Sequence, residues 1–408
     1  MILRALQLGD LLCSVPAFRA LRAALPAAHI TLICLAWGRD FAHRFSDYFD
    51  DFLDFPGFPG LPERPFAVEE FPAFLSQAQR SRFDLAIQLH GSGSFVNPLL
   101  LLLGAHRSAG YYVPGEWCPD AESFFPYPDE LPEVHRHLAL LEFLGIPARG
   151  DHLEFPLRTS DRDELDRLSE TKVLCRHKYA CIHPGARYQS RRWGARKFAA
   201  LGDALARRGL HVLVTGSAGE AELADEVVKA MSAPAINLAG RTTLGALAAL
   251  LADARLLISN DTGVSHVAAG LKVPSVVVVT GSDPARWAPL DRELHPTVSR
   301  PVDCQPCEHV ICPIGHPCAT ELAPERVLSV VDQLLQNTTD QKTANQRGGW
   351  GSSLAEQGLD PSRSVDGQAS PRLQSTGASS GVGIDCHLQT EARRPLPQPP
   401  MTRCRVAI

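Results

Sequence analysis

The sequence has no long hydrophobic run: nothing in its 408 residues approaches the ~18 consecutive apolar positions of a membrane span, and the cluster Leu99 to Leu103 stops at Gly104. Its start lacks the charged, apolar and small-residue succession of a secretory signal. The expected location is the cytoplasm, with at most peripheral association at the inner face of the cytoplasmic membrane. Basic charge is not in excess, since 40 Lys and Arg stand against 45 Asp and Glu for a formal net charge of −5. That balance speaks against general nucleic-acid binding. No G-x-G-x-x-G follows the first strand signal, which weakens a dinucleotide-dependent oxidoreductase reading. Eleven cysteines, an odd number, fit reduced thiols better than a disulfide framework.

What is present is a large α/β pattern. At 45% hydrophobic and 21% charged residues the chain can fill two domains. The apolar run from Leu256 breaks at Asp261-Thr262-Gly263, resumes with helical spacing through His266 to Gly270, and leads into the β-branched stretch ending at Val279. That is strand, loop, helix, strand. An apolar strand without alternation is buried on both faces, so the loop falls at the carboxyl end of a parallel strand, where α/β folds take ligands. Asp261 suits sugar hydroxyls, Gly263 permits close backbone approach, and the free amides of the helix start suit a phosphate. The same residues also fit an ordinary capping loop with a solvated histidine.

In chain order, Ile2 to Ala5 is a short first strand, Leu6 to Asp10 its turn, and Leu11 to Leu25 a helix that either starts late or bends at Pro16. Asp10 reads as a ligand-facing carboxylate or as a plain N-cap. Strands are also expected at Ile30 to Leu35 and Phe83 to Leu89, with His90 after the latter either facing a cleft or structural. Gly145 to Ser160 reads as the interdomain linker. The second half alternates strands and helices more regularly, five strands in all, and a doubly wound parallel sheet is expected there. Its loops offer Arg191 and Arg192 to phosphate charge and Glu220 to ribose hydroxyls, with a solvated basic turn as the alternative for the arginines.

Three motifs, Leu8-Gly9-Asp10 through Arg22, His183-Pro184-Gly185 with Arg191-Arg192-Trp193, and Asp261-Thr262-Gly263-Val264-Ser265-His266, together resemble glycosyltransferase family 9, the ADP-heptose:lipopolysaccharide heptosyltransferases and their relatives. The resemblance covers roughly Met1 to Leu335. It implies the GT-B architecture: an acceptor-binding Rossmann-like domain over 1–155, a nucleotide-sugar-binding one over 156–336, and a cleft between them. It also implies metal-independent inverting transfer, with no cofactor, from a nucleotide-sugar donor to a glycan or glycolipid acceptor. By position, Asp10 matches the family's catalytic carboxylate, and Asp261, Thr262, Gly263 and His266 match its donor motif. Arg191 stands where the family usually has a Lys on the diphosphate, and Glu220 falls near its ribose contact. Gly194 replaces the Pro that often follows the Trp.

Cys304, Cys307, Cys312 and Cys318 could hold a structural zinc, although their spacing is not the paired arrangement of a strong zinc signal, and none is favoured. Pro324 to Leu335 reads as a last amphipathic helix, which the resemblance implies crosses back to brace the first domain. Residues 337–408 turn to Ser, Gly, Gln, Thr, Arg and Pro, with too little apolar content to offset chain entropy, so a disordered tail is expected. A sugar-nucleotide-binding module without turnover, or a nucleotide-sugar epimerase of similar fold, is the alternative to a transferase.

Overall fold

Runs of Val, Ile and Leu without polar alternation do become strands covered on both faces. This computed structural model describes residues 1–348. The first half holds β1 (Ile2–Leu3), β2 (Thr31–Cys34), β3 (Asp51–Asp54), β4 (Leu85–Gln88), β5 (Arg107–Tyr112) and β6 (Phe124–Pro126) in one parallel sheet of order β3-β2-β1-β4-β5-β6. The second holds β7 (Tyr179–His183), β8 (His211–Val214), β9 (Ala235–Asn237), β10 (Leu256–Asn260), β11 (Ser275–Val279) and β12 (Thr297–Ser299) in the order β12-β11-β10-β7-β8-β9. Every residue of β7, β10 and β11 is buried, as helices on both faces require. Ile258 of β10 sits in register with Ile182 on one side and Val276 on the other. These are two doubly wound sheets, the GT-B arrangement.

Strand order reverses between β1 and β4 and between β10 and β7, so the loops after these four strands open at the crevices where such sheets take ligands. One apolar core joins the halves: Leu12 and Phe18 belong to the same cluster as Val264, Val267 and Leu250. The interdomain segment is pinned by Arg19, which donates to His152 O at 2.7 Å and to Arg149 O at 3.2 Å. Arg44 adds a fork onto both oxygens of Asp161, at 2.6 and 2.8 Å. Residues 1–340 form one compact unit.

Several boundaries differ from expectation. The first helix, Leu8–Ala24, starts three residues early and runs through Pro16, because packing of its buried face outweighs the one amide lost there. The linker is shorter, since the helix Thr159–Asp166 begins inside it. The last helix, Pro324–Gly348, places Val327, Val331 and Leu334 in the core of the second sheet with Trp193 and Phe198, rather than against the first sheet. It also runs past residue 337; the remainder of the expected tail, 349–408, lies outside the described residues.

The helix Gly263–Gly270 ends against the interdomain segment: a Cβ on Gly270 would lie 2.8 Å from Glu154 C and 3.0 Å from Phe155 N. Backbone cannot give way as a flexible side chain can. Gly270→Ala should therefore destabilise by about 1–3 kcal/mol, the usual range for overpacking, seen as a melting temperature lowered by a few degrees. An unchanged melting curve would show that the segment does not press on this helix.

Candidate active site

The carboxyl end of β1 leads directly into the helix Leu8–Ala24, which puts Asp10 in its first turn. Asp10 Oδ2 accepts the Gln7 backbone N–H at 3.1 Å, while Oδ1 stands 3.9 Å from Arg4 Nη2, beyond hydrogen-bond reach. Asp10 is thus a helix cap and a half-buried carboxylate together. Burial pushes its pKa up, the Arg4 guanidinium pulls it down, and the nearby Glu133 adds to the rise, with the net shift upward.

Arg4 itself is 1% exposed, and a buried guanidinium must be paired. It donates to Leu89 O, to the Asp10 carbonyl at 3.1 Å and to Glu133 Oε1 at 2.8 Å. Glu133 opens the helix Glu133–Phe143 and also accepts from Arg286 Nε at 2.9 Å, with Arg286 in the short helix Pro284–Trp287 of the second half. Burial alone would raise the Glu133 pKa, but Arg4, His137 and Arg286 hold it well below the usual carboxylate range.

Across the crevice, Asp261 is 8% exposed, accepts from Ser282 Oγ and donates its own N–H to Val278 O at 3.0 Å. Thr262 is the N-cap of the helix Gly263–Gly270 in extended conformation, yet its hydroxyl does not cap that helix. The two helix starts abut. A Cβ on Gly9 would lie 3.0 Å from His266 Cδ2, and one on Gly263 would lie 3.3 Å from Leu8 Cβ. His266 is buried, with Nδ1 3.6 Å from Cys13 Sγ, and burial lowers its pKa although Asp261, Asp10 and Glu133 oppose the shift. Asp10, His266 and Asp261 are therefore brought into one electrostatic neighbourhood.

The remaining donor candidates sit on the β7 and β8 loops. Buried Asn260 at the end of β10 ties down both ends of the β7 loop, donating to Pro184 O at 2.7 Å and accepting the Trp193 N–H at 3.1 Å. Glu220 Oε2 accepts from Ser217 N and Oγ at 2.8 Å, and its other oxygen lies over Gly185, whose Cβ position would be 2.0 Å from it. Arg192 Nε is engaged with Ala186 O at 3.0 Å. Arg191, by contrast, lies over the Tyr188 ring at 5.3 Å with its Nε unpaired. Gly194, at φ 112°, holds a left-handed conformation that proline cannot adopt.

His90 takes a structural place: Nδ1 accepts the Ala5 N–H at 3.2 Å and Nε2 stands 3.3 Å from Glu63 Oε1. Cys304, Cys307, Cys312 and Cys318 are free thiols around one void of about 10 Å³, where the His316 N–H reaches Cys312 Sγ at 3.2 Å. Among the described residues, no three His, Cys, Asp or Glu are grouped so as to hold a metal ion. Sequence reasoning missed Arg4, Glu133, Arg286, Asn260 and Ser282. The signal for Arg4 was a charge inside an apolar strand; Glu133 looked like any acidic residue in a first helical turn.

Two facing doubly wound sheets, with these loops at their reversal points, define a protein of the GT-B class. The chain belongs to glycosyltransferase family 9 (heptosyltransferase), whose model matches residues 74–317. Among curated relatives, lipooligosaccharide heptosyltransferase 2 of Campylobacter jejuni is 30% identical over 217 residues, 50% of this chain and 66% of that protein. The match thus spans just under two thirds of that relative's length. Solved structures share the fold, two of them as follows. The family 9 glycosyltransferase of Veillonella parvula has a TM-score of 0.70 at 21% identity, over 82% of this chain and 96% of that one. The ADP-heptose lipopolysaccharide heptosyltransferase II of Escherichia coli has a TM-score of 0.65 at 22% identity, over 83% and 98%.

If the β7 loop holds a nucleoside diphosphate, Arg191→Ala should weaken ADP binding by ~10- to ~150-fold, the scale of about 1.5–3 kcal/mol for a charge-assisted hydrogen bond. Arg192→Ala should have the smaller effect in calorimetry, and the reverse order would move the phosphate contact by one residue. Gly185→Ala should lower the melting temperature only slightly, because the Glu220 side chain can swing aside but gives up its hydrogen bonds from Ser217 in doing so. It should weaken ADP binding roughly tenfold, about one hydrogen bond; full retention of affinity would detach Glu220 from the nucleotide.

Proposed function

We propose that this chain is an inverting heptosyltransferase that moves heptose from ADP-heptose to a lipopolysaccharide or related cell-surface glycan acceptor. The observation that carries this reading is the contact of the two helix starts, which sets the Asp10 carboxylate of one half beside the Asp261-Thr262-Gly263 loop of the other. In a single displacement, an acceptor hydroxyl attacks the anomeric carbon on the face opposite the diphosphate. The C–O bond to the diphosphate breaks, ADP departs with that electron pair, and Asp10 takes the hydroxyl proton. Oδ1 is the oxygen suited to it, since Oδ2 already holds the Gln7 amide.

Charge on the departing diphosphate is met by Arg191 and by the first-turn amides of the helix Gly263–Gly270, and the reading assigns it no metal. Asp261 holds sugar hydroxyls, and Glu220 the ribose. No nucleic acid enters the reaction. Among the described residues no helix is long and apolar enough to cross a membrane. On this reading a glycolipid acceptor is met by peripheral association at the cytoplasmic face.

Asp10→Asn keeps size and most hydrogen bonding but cannot accept the proton. With ADP-heptose and deacylated lipopolysaccharide core, turnover followed by ADP release should fall ~10²- to 10⁴-fold, and donor affinity should stay within a few-fold. Stability should move the other way. A carboxyl whose folded pKa is raised contributes stability fully below its unfolded pKa and loses it as pH rises through the folded value. At pH 7.5 the Asn variant, with no such charge, should melt no lower than the wild type. Near-wild-type turnover would remove Asp10 from the chemistry, and retention of anomeric configuration in the product would exclude the single displacement.

A further inference from the structure

Glu133, 2% exposed, lies between two guanidinium groups that reach it from different halves of the molecule. Arg4 Nη2, at the end of β1, is 2.8 Å from Oε1, and Arg286 Nε, beyond β11, is 2.9 Å from Oε2. The same Arg4 nitrogen is 3.9 Å from Asp10 Oδ1, so it faces two carboxyl groups and is bonded to one. We infer that Glu133 is a positioning residue for Asp10: it draws Arg4 off the Asp10 carboxylate, and Arg286 from the opposite half neutralises it, so apposition of the halves sets how readily Asp10 takes a proton. This rests on the reading of Asp10 as the base.

The surroundings leave few other charges to do this. On the helix Glu133–Phe143, His137 stands 3.4 Å from Glu133 Oε1, and burial followed by Arg4 pushes its pKa down to about 4, so it is neutral near pH 7. Arg136 is 3.9 Å from Oε2 but is committed to Leu131 O, Asp129 O and Tyr127 Oη. Tyr127 Oη also takes Arg286 Nη2 at 3.0 Å, which fixes the orientation of that guanidinium. On the first helix, burial raises the Cys13 thiol well above its ordinary value, and burial raises Tyr111 of β5 likewise. From the second half, His266 is buried with its pKa lowered, and Asp261 is the other carboxylate in reach. Arg4, Arg136 and Arg286 thus surround Glu133, with Asp10 beside Arg4, while Asp261 acts on Arg292 of the second half.

Removing either member beside Asp10 unbalances the set in a predictable direction. Glu133→Gln leaves Arg4 and Arg286 uncompensated, which stabilises the ionised form of Asp10 and lowers its pKa. Arg286→Gln removes a cation that screens Glu133, and the Asp10 pKa rises. A purely structural role for Glu133 would lower activity in both variants without opposite shifts.

The test uses the full chain in three forms: wild type, Glu133→Gln and Arg286→Gln. Asp10 is titrated directly through its ¹³C-labelled carboxyl signal, identified by its absence from Asp10→Asn. The acidic limb of kcat/KM is measured with ADP-heptose and deacylated lipopolysaccharide core. We expect the carboxyl titration and the limb to move together, down by roughly one pH unit in Glu133→Gln and up by a similar amount in Arg286→Gln, the low end for a charge at this range. Shifts in the same direction in both variants, or no shift in the carboxyl signal, would overturn the inference. If Glu133→Gln does not fold, the more exposed Arg286→Gln decides by the sign of its shift alone. A carboxyl signal that moves as expected while the limb stays fixed would uphold the coupling and overturn the assignment of Asp10 as the base.

Discussion

A buried arginine organises the first half of this protein. Arg4 has no access to water, and an uncompensated guanidinium in such a place costs several kcal/mol. Its partners are therefore fixed in kind: the end of β4 through Leu89 O, the first turn of the helix Leu8–Ala24 through Asp10 O, and the helix Glu133–Phe143 through a carboxylate. One side chain thereby locks β1, β4 and two helices into register at the edge where a ligand would arrive. Because Glu133 carries a second charged partner in Arg286, the same network reaches into the other half.

Steric freedom supplies the complementary constraint. Gly9 and Gly263 let two helix starts meet at distances where a Cβ would be crowded, and Gly270 lets the interdomain segment lie against the far end of the second helix. Three glycines on two helices thus set how close the halves come. Their apolar surroundings, Leu12 and Phe18 on one side and Val264 and Val267 on the other, make that approach favourable. Electrostatic pairing at Arg286 gives it direction.

How much of this could be read beforehand differs between the halves for physical reasons. In the second half, strands such as Ser275–Val279 are β-branched, long enough to pattern and buried on both faces, so five of its six strands emerged from periodicity, and the three-residue edge strand Thr297–Ser299 did not. In the first half, β3 is a short edge strand with a charged residue at each end, β5 contains a glycine, and β6 is three residues with a proline. Those signals are too weak to separate from loop. Asp10 and the Asp261 loop were visible because motif residues fall at strand ends. The Arg4, Glu133 and Arg286 network was not, since it joins positions 129 and 153 residues apart, and a charge inside an apolar strand marks Arg4 for burial without naming its partners. The last helix illustrates a further limit: its apolar spacing identified a buried face but not which sheet would bury it.

The two oxygens of Asp10 show how one residue reconciles a structural and a chemical demand. Oδ2 accepts the Gln7 amide and stabilises the helix start, as a carboxylate near the positive end of a helix should. Were Arg4 bonded to Oδ1 as well, the carboxylate would be doubly satisfied and its pKa would be pulled far down, which makes a good cap and a poor base. Arg4 instead stops 3.9 Å short, held by Glu133 at 2.8 Å. On the proposed mechanism the free oxygen takes the proton while the capped one keeps the helix in place. Protonation then need not disturb the turn that aligns Gly9 with the donor loop, and base and donor can stay in register through the transfer.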